Sequence, residues 1–166
     1  MIKNEIRQSL SKVVKALNSE SVEYMVIGGV AVASYGYYRV SGVYNSSLPE
    51  IKHDIDFWYN PTLSNFIKLT KALASLGVEG VEDIIFDRTN YLRINHDTFR
   101  TEFLPKMVGL LSFEESFQNA KKISIGDDSL CVIGYSDLIR NKTQLGRSID
   151  QKDIEQLKKR NSDPDD

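Results

Sequence analysis

Apolar residues Ile6, Leu10, Val13, Val14 and Leu17 recur at helical spacing with charged and polar residues between them, so the first 18 residues read as an amphipathic helix. Val22 to Ile27 is a short apolar run that reads as a strand, and Gly28-Gly29 follows it as a tight turn into a helix over Val30 to Tyr35. Asp54 to Tyr59 reads as a second, buried strand. Thr62 can cap a helix that places Leu63, Phe66, Ile67, Leu73 and Leu76 on one face, and Gly77 can close it in the left-handed conformation. Ile84 to Phe86, Asn90 to Ile94 and Phe99 to Leu104 are β-favouring stretches separated by polar pieces, which predicts a meander. Ser112-Phe113-Glu114-Glu115 has the form of a capping box opening a short helix. Lys122 to Ile125 and Leu130 to Ile133, either side of Gly126-Asp127-Asp128, predict a hairpin. Two helices follow, over about 136–145 and 149–160. The polar tail 161–166 is expected to be disordered.

A chain of 166 residues with 41% hydrophobic side chains can fill one core, so residues 1–160 are expected to form a single domain. The formal net charge of -2 excludes a broad electrostatic footprint for nucleic acid, and bulk DNA binding with it. Cys131, the lone cysteine, can form neither an internal disulfide nor a zinc cluster, and its apolar run predicts a core thiol. No apolar run approaches the roughly 20 residues needed to cross a bilayer, and the first residues lack a signal-peptide core. A cytoplasmic protein is the expectation.

The chemistry concentrates at Asp54-Ile55-Asp56. Carboxylates one residue apart on a strand point to the same face and repel unless a cation stands near. Upstream, Gly28-Gly29 lets the backbone turn tightly before a helix, a combination suited to phosphate. A nucleotide with its magnesium ions would satisfy both features.

The order strand, Gly28-Gly29, helix and Asp54-Ile55-Asp56 on the next strand resembles the nucleotidyltransferase superfamily related to DNA polymerase β. The C-terminal stretch Val132 to Lys142, then Leu145-Gly146-Arg147 and Asp150 to Ile154, is similar to the ending of small prokaryotic nucleotidyltransferase-like proteins. That group includes toxin-antitoxin and abortive-infection components and some antibiotic-modifying enzymes. The resemblance spans roughly residues 23–157. It implies a mixed α/β (α+β) central sheet flanked by helices, with further helices at the C-terminus. It also implies that Asp54, Asp56 and a third carboxylate, for which Glu102 is the candidate, are catalytic and bind two Mg2+ ions, with Mn2+ as a substitute. Gly28 and Gly29 would hold the triphosphate, with Arg39, Lys142 and Arg147 as further nucleotide contacts.

Each of these residues also has a plainer reading. A Gly pair can be an ordinary turn, helical lysines and arginines are commonly solvated, and strand-end carboxylates can be surface charge. A phosphatase of the Asp-x-Asp-x-Thr type is disfavoured because Phe57 and Trp58 follow Asp56. Trp58 shares the aspartates' face and reads as packing under the C-terminal helices ahead of stacking on a base. His53 and His96 lack ligand-spaced partners and read as bystanders. Asp150 and Asp153 read as architecture, paired to Arg147, Lys152 or a backbone N–H. Gly, Pro and Ser in 40–50 predict a loop at the mouth of the site. The functional expectation is therefore a metal-dependent transfer of a nucleoside monophosphate from a nucleoside triphosphate to a hydroxyl, with pyrophosphate released. The acceptor is open among a small molecule, an RNA end and a protein. The alternative is a non-catalytic or toxin-antitoxin interaction module that keeps the fold and works through a partner protein.

Overall fold

The computed structural model describes residues 4–39, 42–43 and 52–161. Among these described residues seven strands form one mixed sheet: β1 (Tyr24–Ile27), β2 (Gly42–Val43), β3 (Lys52–Tyr59), β4 (Leu92–Asn95), β5 (Phe99–Leu104), β6 (Lys121–Ile125) and β7 (Asp128–Val132). Their order is β4-β5-β3-β1-β7-β6, and β2 pairs with β3 off that path. β1 and β3 are antiparallel, whereas β3 with β5 and β1 with β7 are parallel. The sheet end where β1 and β7 finish is therefore the end where β3 and β5 begin. Among the described residues six α-helices accompany it: α1 (Asn4–Ser19), α2 (Gly28–Ser34), α3 (Leu63–Ser75), α4 (Phe113–Gln118), α5 (Tyr135–Leu145) and α6 (Ser148–Asn161). This is the mixed α/β architecture that the family resemblance implied. No helix among the described residues is long and apolar enough to cross a membrane.

Strand alternation sorts β3 into two faces. Ile55, Phe57 and Tyr59 turn to the side of α3, where Tyr59 meets Phe66, Phe57 stacks on Phe103 at 4.9 Å between centroids, and Tyr24 lies edge-on to Phe57. Helix α1 covers the same core through Ile6, Leu10, Val13, Val14 and Leu17, all buried as its spacing required. Asp54, Asp56 and Trp58 turn to the opposite side. There Trp58 is buried edge-on against Phe113 of α4 and donates from Nε1 to the Pro105 carbonyl at 3.3 Å. Its packing partner is thus α4 rather than the C-terminal helices, and it takes no part in the cavity described below.

Caps sit where the side chains demand. Thr62 Oγ1 accepts from the Asn65 N–H at 3.3 Å, and Ser112 Oγ accepts from the Glu115 N–H at 3.2 Å. Four expectations are corrected. Leu63 and Ile67 are 56% and 46% exposed, because α3 buries the stripe Phe66, Leu69, Ala72 and Leu73 and the two outer residues fall off it. Residues 84–86 form no strand: a 3-10 turn at Val81–Asp83 leads into them and Ile85 faces solvent. Cys131 is only half-buried, since alternation along β7 gives the core to Leu130 and Val132. Within the expected loop, Gly42–Val43 pair with His53 and Lys52 as a short strand, while 40–41 and 44–51 lie outside the described residues. Asn161 closes α6, and the rest of the expected tail, 162–166, also lies outside them.

Candidate active site

Register brings the chemistry together. β1 pairs Ile27 with Asp56, so the next residue along β1, Gly28, passes directly over the Asp56 side chain. Gly28 has φ +63°, and a Cβ built on it would lie 2.3 Å from Asp56 Oδ2. Glycine is required here on both counts. The helix α2 starts at Gly28 itself, two residues earlier than the pattern suggested. On the other edge of β3, the parallel pairing with β5 sets Asp54 beside Arg100 and Asp56 beside Glu102. Four ionisable residues thus form a two-by-two grid on one face.

Arg100 donates from Nη2 to Asp54 Oδ2 at 2.9 Å; its Nε stands 2.7 Å from Oδ1 as an ion pair without hydrogen-bond geometry, and its Nη2 lies 3.7 Å from Glu102 Oε1. Arg93 of β4 grips the same Glu102 oxygen from outside at 2.7 Å. Asp56 makes no ion pair among the described residues. Burial first, then Glu102 and Asp54, push its carboxyl up to about 7, with Arg100 and Arg39 acting weakly in the other sense.

The third wall comes from the C-terminal helices. β7 runs parallel to β1, Ile133 N–H donates to Val26 O, and α5 follows at the same sheet end. Lys142 of α5 is buried, with Nζ 3.2 Å from Asp150 Oδ1 and 2.7 Å from Asp153 Oδ2, both aspartates on α6 and both fully buried. Arg147 donates from Nε to Asp150 Oδ2 at 2.7 Å. Arg39 clamps Asp153 with Nε to Oδ1 at 2.7 Å and Nη2 to Oδ2 at 2.9 Å. Burial alone would push the Asp150 carboxyl up, yet Arg147 and Lys142 together hold it below the ordinary aspartate range.

These elements enclose a polar cavity of about 300 Å³. Every candidate named from the sequence lines it: the acids Asp54, Asp56 and Glu102, the turn Gly28 and Gly29, and the cations Arg39, Lys142 and Arg147. A second cavity of about 230 Å³ shares Gly28, Asp56, Glu102, Lys142 and Arg147, but its remaining wall is mainly apolar, with Leu104, Met107, Val108, Leu138 and Leu145. Asn141 Nδ2 ties that wall down by donating to Val108 O at 2.8 Å.

Strand order and glycine turn together now allow comparison with solved structures. A Thermotoga maritima protein, TM1012, whose assignment as a nucleotidyltransferase is itself provisional, superposes with a TM-score of 0.58 at 14% identity, over 94% of each chain. A lincosamide antibiotic adenylyltransferase, LnuA, solved with lincomycin bound, superposes with a TM-score of 0.50 at 14% identity, over 91% of this chain and 95% of that one. The fold is that of the nucleotidyltransferases. No family model matches the sequence, and no curated protein matches it. Within this nucleotidyltransferase fold, sequence reasoning missed Arg100 and Arg93. The signal for Arg100 was present: it lies two residues before Glu102 on the same strand, hence on the same face.

Carboxylate oxygens from Asp54, Asp56 and Glu102 on neighbouring strands are the ligand type that a hard divalent ion takes, and all three face one cavity. As they stand, no three His, Cys, Asp or Glu side chains among the described residues are gathered closely enough to enclose an ion. The donor chemistry fits, with arginines in contact with two of the three acids.

Proposed function

We propose that the protein is a magnesium-dependent nucleotidyltransferase that moves a nucleoside monophosphate from a nucleoside triphosphate to a hydroxyl acceptor. The observation that carries this reading is the convergence of the Gly28 turn with Asp54, Asp56 and Glu102 at one cavity in a nucleotidyltransferase fold. The acceptor oxygen would attack the α-phosphorus as the bond to pyrophosphate breaks. Asp54, Asp56 and Glu102 would hold magnesium, which when bound lowers the pKa of the attacking hydroxyl and steadies the leaving pyrophosphate. The backbone at Gly28 and Gly29, free of side chains, gives the phosphates close approach. Arg39, Lys142 and Arg147 supply positive potential from behind, each already tied to Asp150 or Asp153. The apolar cavity would receive an uncharged part of a substrate.

The alternative, an interaction module without catalysis, draws support from the same ion pairs, because every one of these cations has a resident anion. Thermal denaturation with magnesium and each of the four nucleoside triphosphates separates the readings. Occupancy at a hundredfold excess over Kd stabilises by about 2.7 kcal/mol, which for a chain of this size raises Tm by roughly 5–10 °C. The enzyme reading expects that shift only with both ligands together, accompanied by pyrophosphate release on adding the right hydroxyl. No shift with any triphosphate at millimolar concentration would leave the interaction module.

A further inference from the structure

Arg100 pairs with Asp54 across the β3–β5 register inside the candidate site. It lines the polar cavity together with Gly28, Gly29 and Asp56, its side chain is as accessible as that of Asp54, and it donates from Nη2 to Asp54 Oδ2 while its Nε stands 2.7 Å from Oδ1. Its approach to Glu102 is not needed to fix that residue, because Arg93 already grips Glu102 from the outer strand. Three acids packed on adjacent strand positions require positive charge near them; Arg93 supplies it to Glu102 from the outer strand, and Arg100 supplies it to Asp54 from within the grid. A divalent ion on Asp54 would need at least one of the oxygens that the guanidinium now holds, and two such cations cannot share them closely.

We propose that Arg100 is the resident counter-ion of the acidic face, holding Asp54 until a divalent cation takes its place, so that cation binding and release of Arg100 are a single exchange. The inference rests on the metal-dependent reading above. The freed guanidinium stays tethered inside the cavity, placed to meet substrate phosphate. That arrangement keeps the acids ordered between turnovers and lowers affinity for the bare ion.

The test is titration with Mn2+ alone, without nucleotide, following the free ion by electron paramagnetic resonance. R100Q removes the competing charge and should bind Mn2+ at least about tenfold more tightly than the wild type, whereas R100K, which keeps the charge, should stay within about threefold of it. On the wild type itself, an arginine Nε–H signal in the nuclear magnetic resonance spectrum should move on Mg2+ addition and be absent from R100K. That measurement covers the case in which R100Q fails to fold. Equal or weaker Mn2+ binding by R100Q, with binding abolished by D56N, would leave the metal site standing and make Arg100 a brace for Asp54, overturning the exchange. Absence of Mn2+ binding by the wild type and by R100Q would overturn the metal-dependent reading and the exchange together.

Discussion

Gly28→Ala is the sharpest perturbation of the site, because the structure separates its two penalties. The residue sits at φ +63°, where a non-glycine side chain costs about 1–2 kcal/mol. The new Cβ would also lie 2.3 Å from Asp56 Oδ2 and 3.1 Å from its Cγ, so the carboxylate must turn away. Forcing it off its preferred rotamer adds about 0.5–1.5 kcal/mol, and the total comes to roughly 2–3 kcal/mol. Gly77→Ala is the internal control, since it has φ +82° with nothing within 4 Å of the added Cβ and so carries the backbone penalty alone. Urea unfolding should rank Gly28→Ala below Gly77→Ala in stability. In an Asp56→Ala background the excess should largely vanish, with a coupling of about 1 kcal/mol between the two sites. Equal losses for both glycines, or strict additivity with Asp56→Ala, would mean that Gly28 does not crowd Asp56 and that the glycine marks only a turn.

Asp56 gives a pH signature. Its folded pKa of about 7 lies above the ordinary aspartate value, so the protonated form is favoured by folding; that stability is complete below about pH 4 and is lost as pH rises through 7. Asp56→Asn should flatten the loss and be more stable than the wild type at pH 8 by up to about 4 kcal/mol, read by urea unfolding at pH 5 and 8; an unchanged profile would contradict the crowding of acids. Lys142→Met should destabilise by about 3–5 kcal/mol, because it leaves Asp150 and Asp153 buried with one cation fewer, and more than Arg147→Met, whose side chain is 62% exposed. Equal losses for the two would remove Lys142 from the centre of the network.

The sequence made the backbone of this site legible where a local rule applied. Thr62 and Ser112 announced their helices, period-two alternation put Asp54 and Asp56 on one face, and helical spacing identified the buried stripe of α1. What escaped it depends on register between strands far apart in the chain. Nothing local says that Ile27 faces Asp56, which is what makes Gly28 obligatory, or that Arg100 lies beside Asp54. The meander was misjudged at 84–86 for a similar reason: β-favouring Ile-Ile-Phe has no strand to pair with once β4 takes the edge. Arg39, Lys142 and Arg147 were legible as cations near the site, and Arg147 as a partner of the α6 aspartates, but not the pairing of Arg39 and Lys142 with those aspartates. Asp150 and Asp153 read from the sequence as architecture, paired to Arg147, Lys152 or a backbone N–H; what the spacing did not give is that α6 folds them inward, fully buried against three positive charges.

That inward turn bears on how a nucleotide would be held. Arg39, Lys142 and Arg147 stand against Asp150 and Asp153, so this network carries a modest positive excess, and it faces Asp54, Asp56 and Glu102 across one cavity. Arg100 offsets only part of that acidic face. A triphosphate arriving alone would meet cations whose hydrogen bonds are already committed and carboxylates that repel it. A divalent cation arriving alone would compete with Arg100 for Asp54. On the proposed function each ligand would therefore be disfavoured singly and favoured in company, because the ion would neutralise the acids while the phosphates completed its oxygen shell.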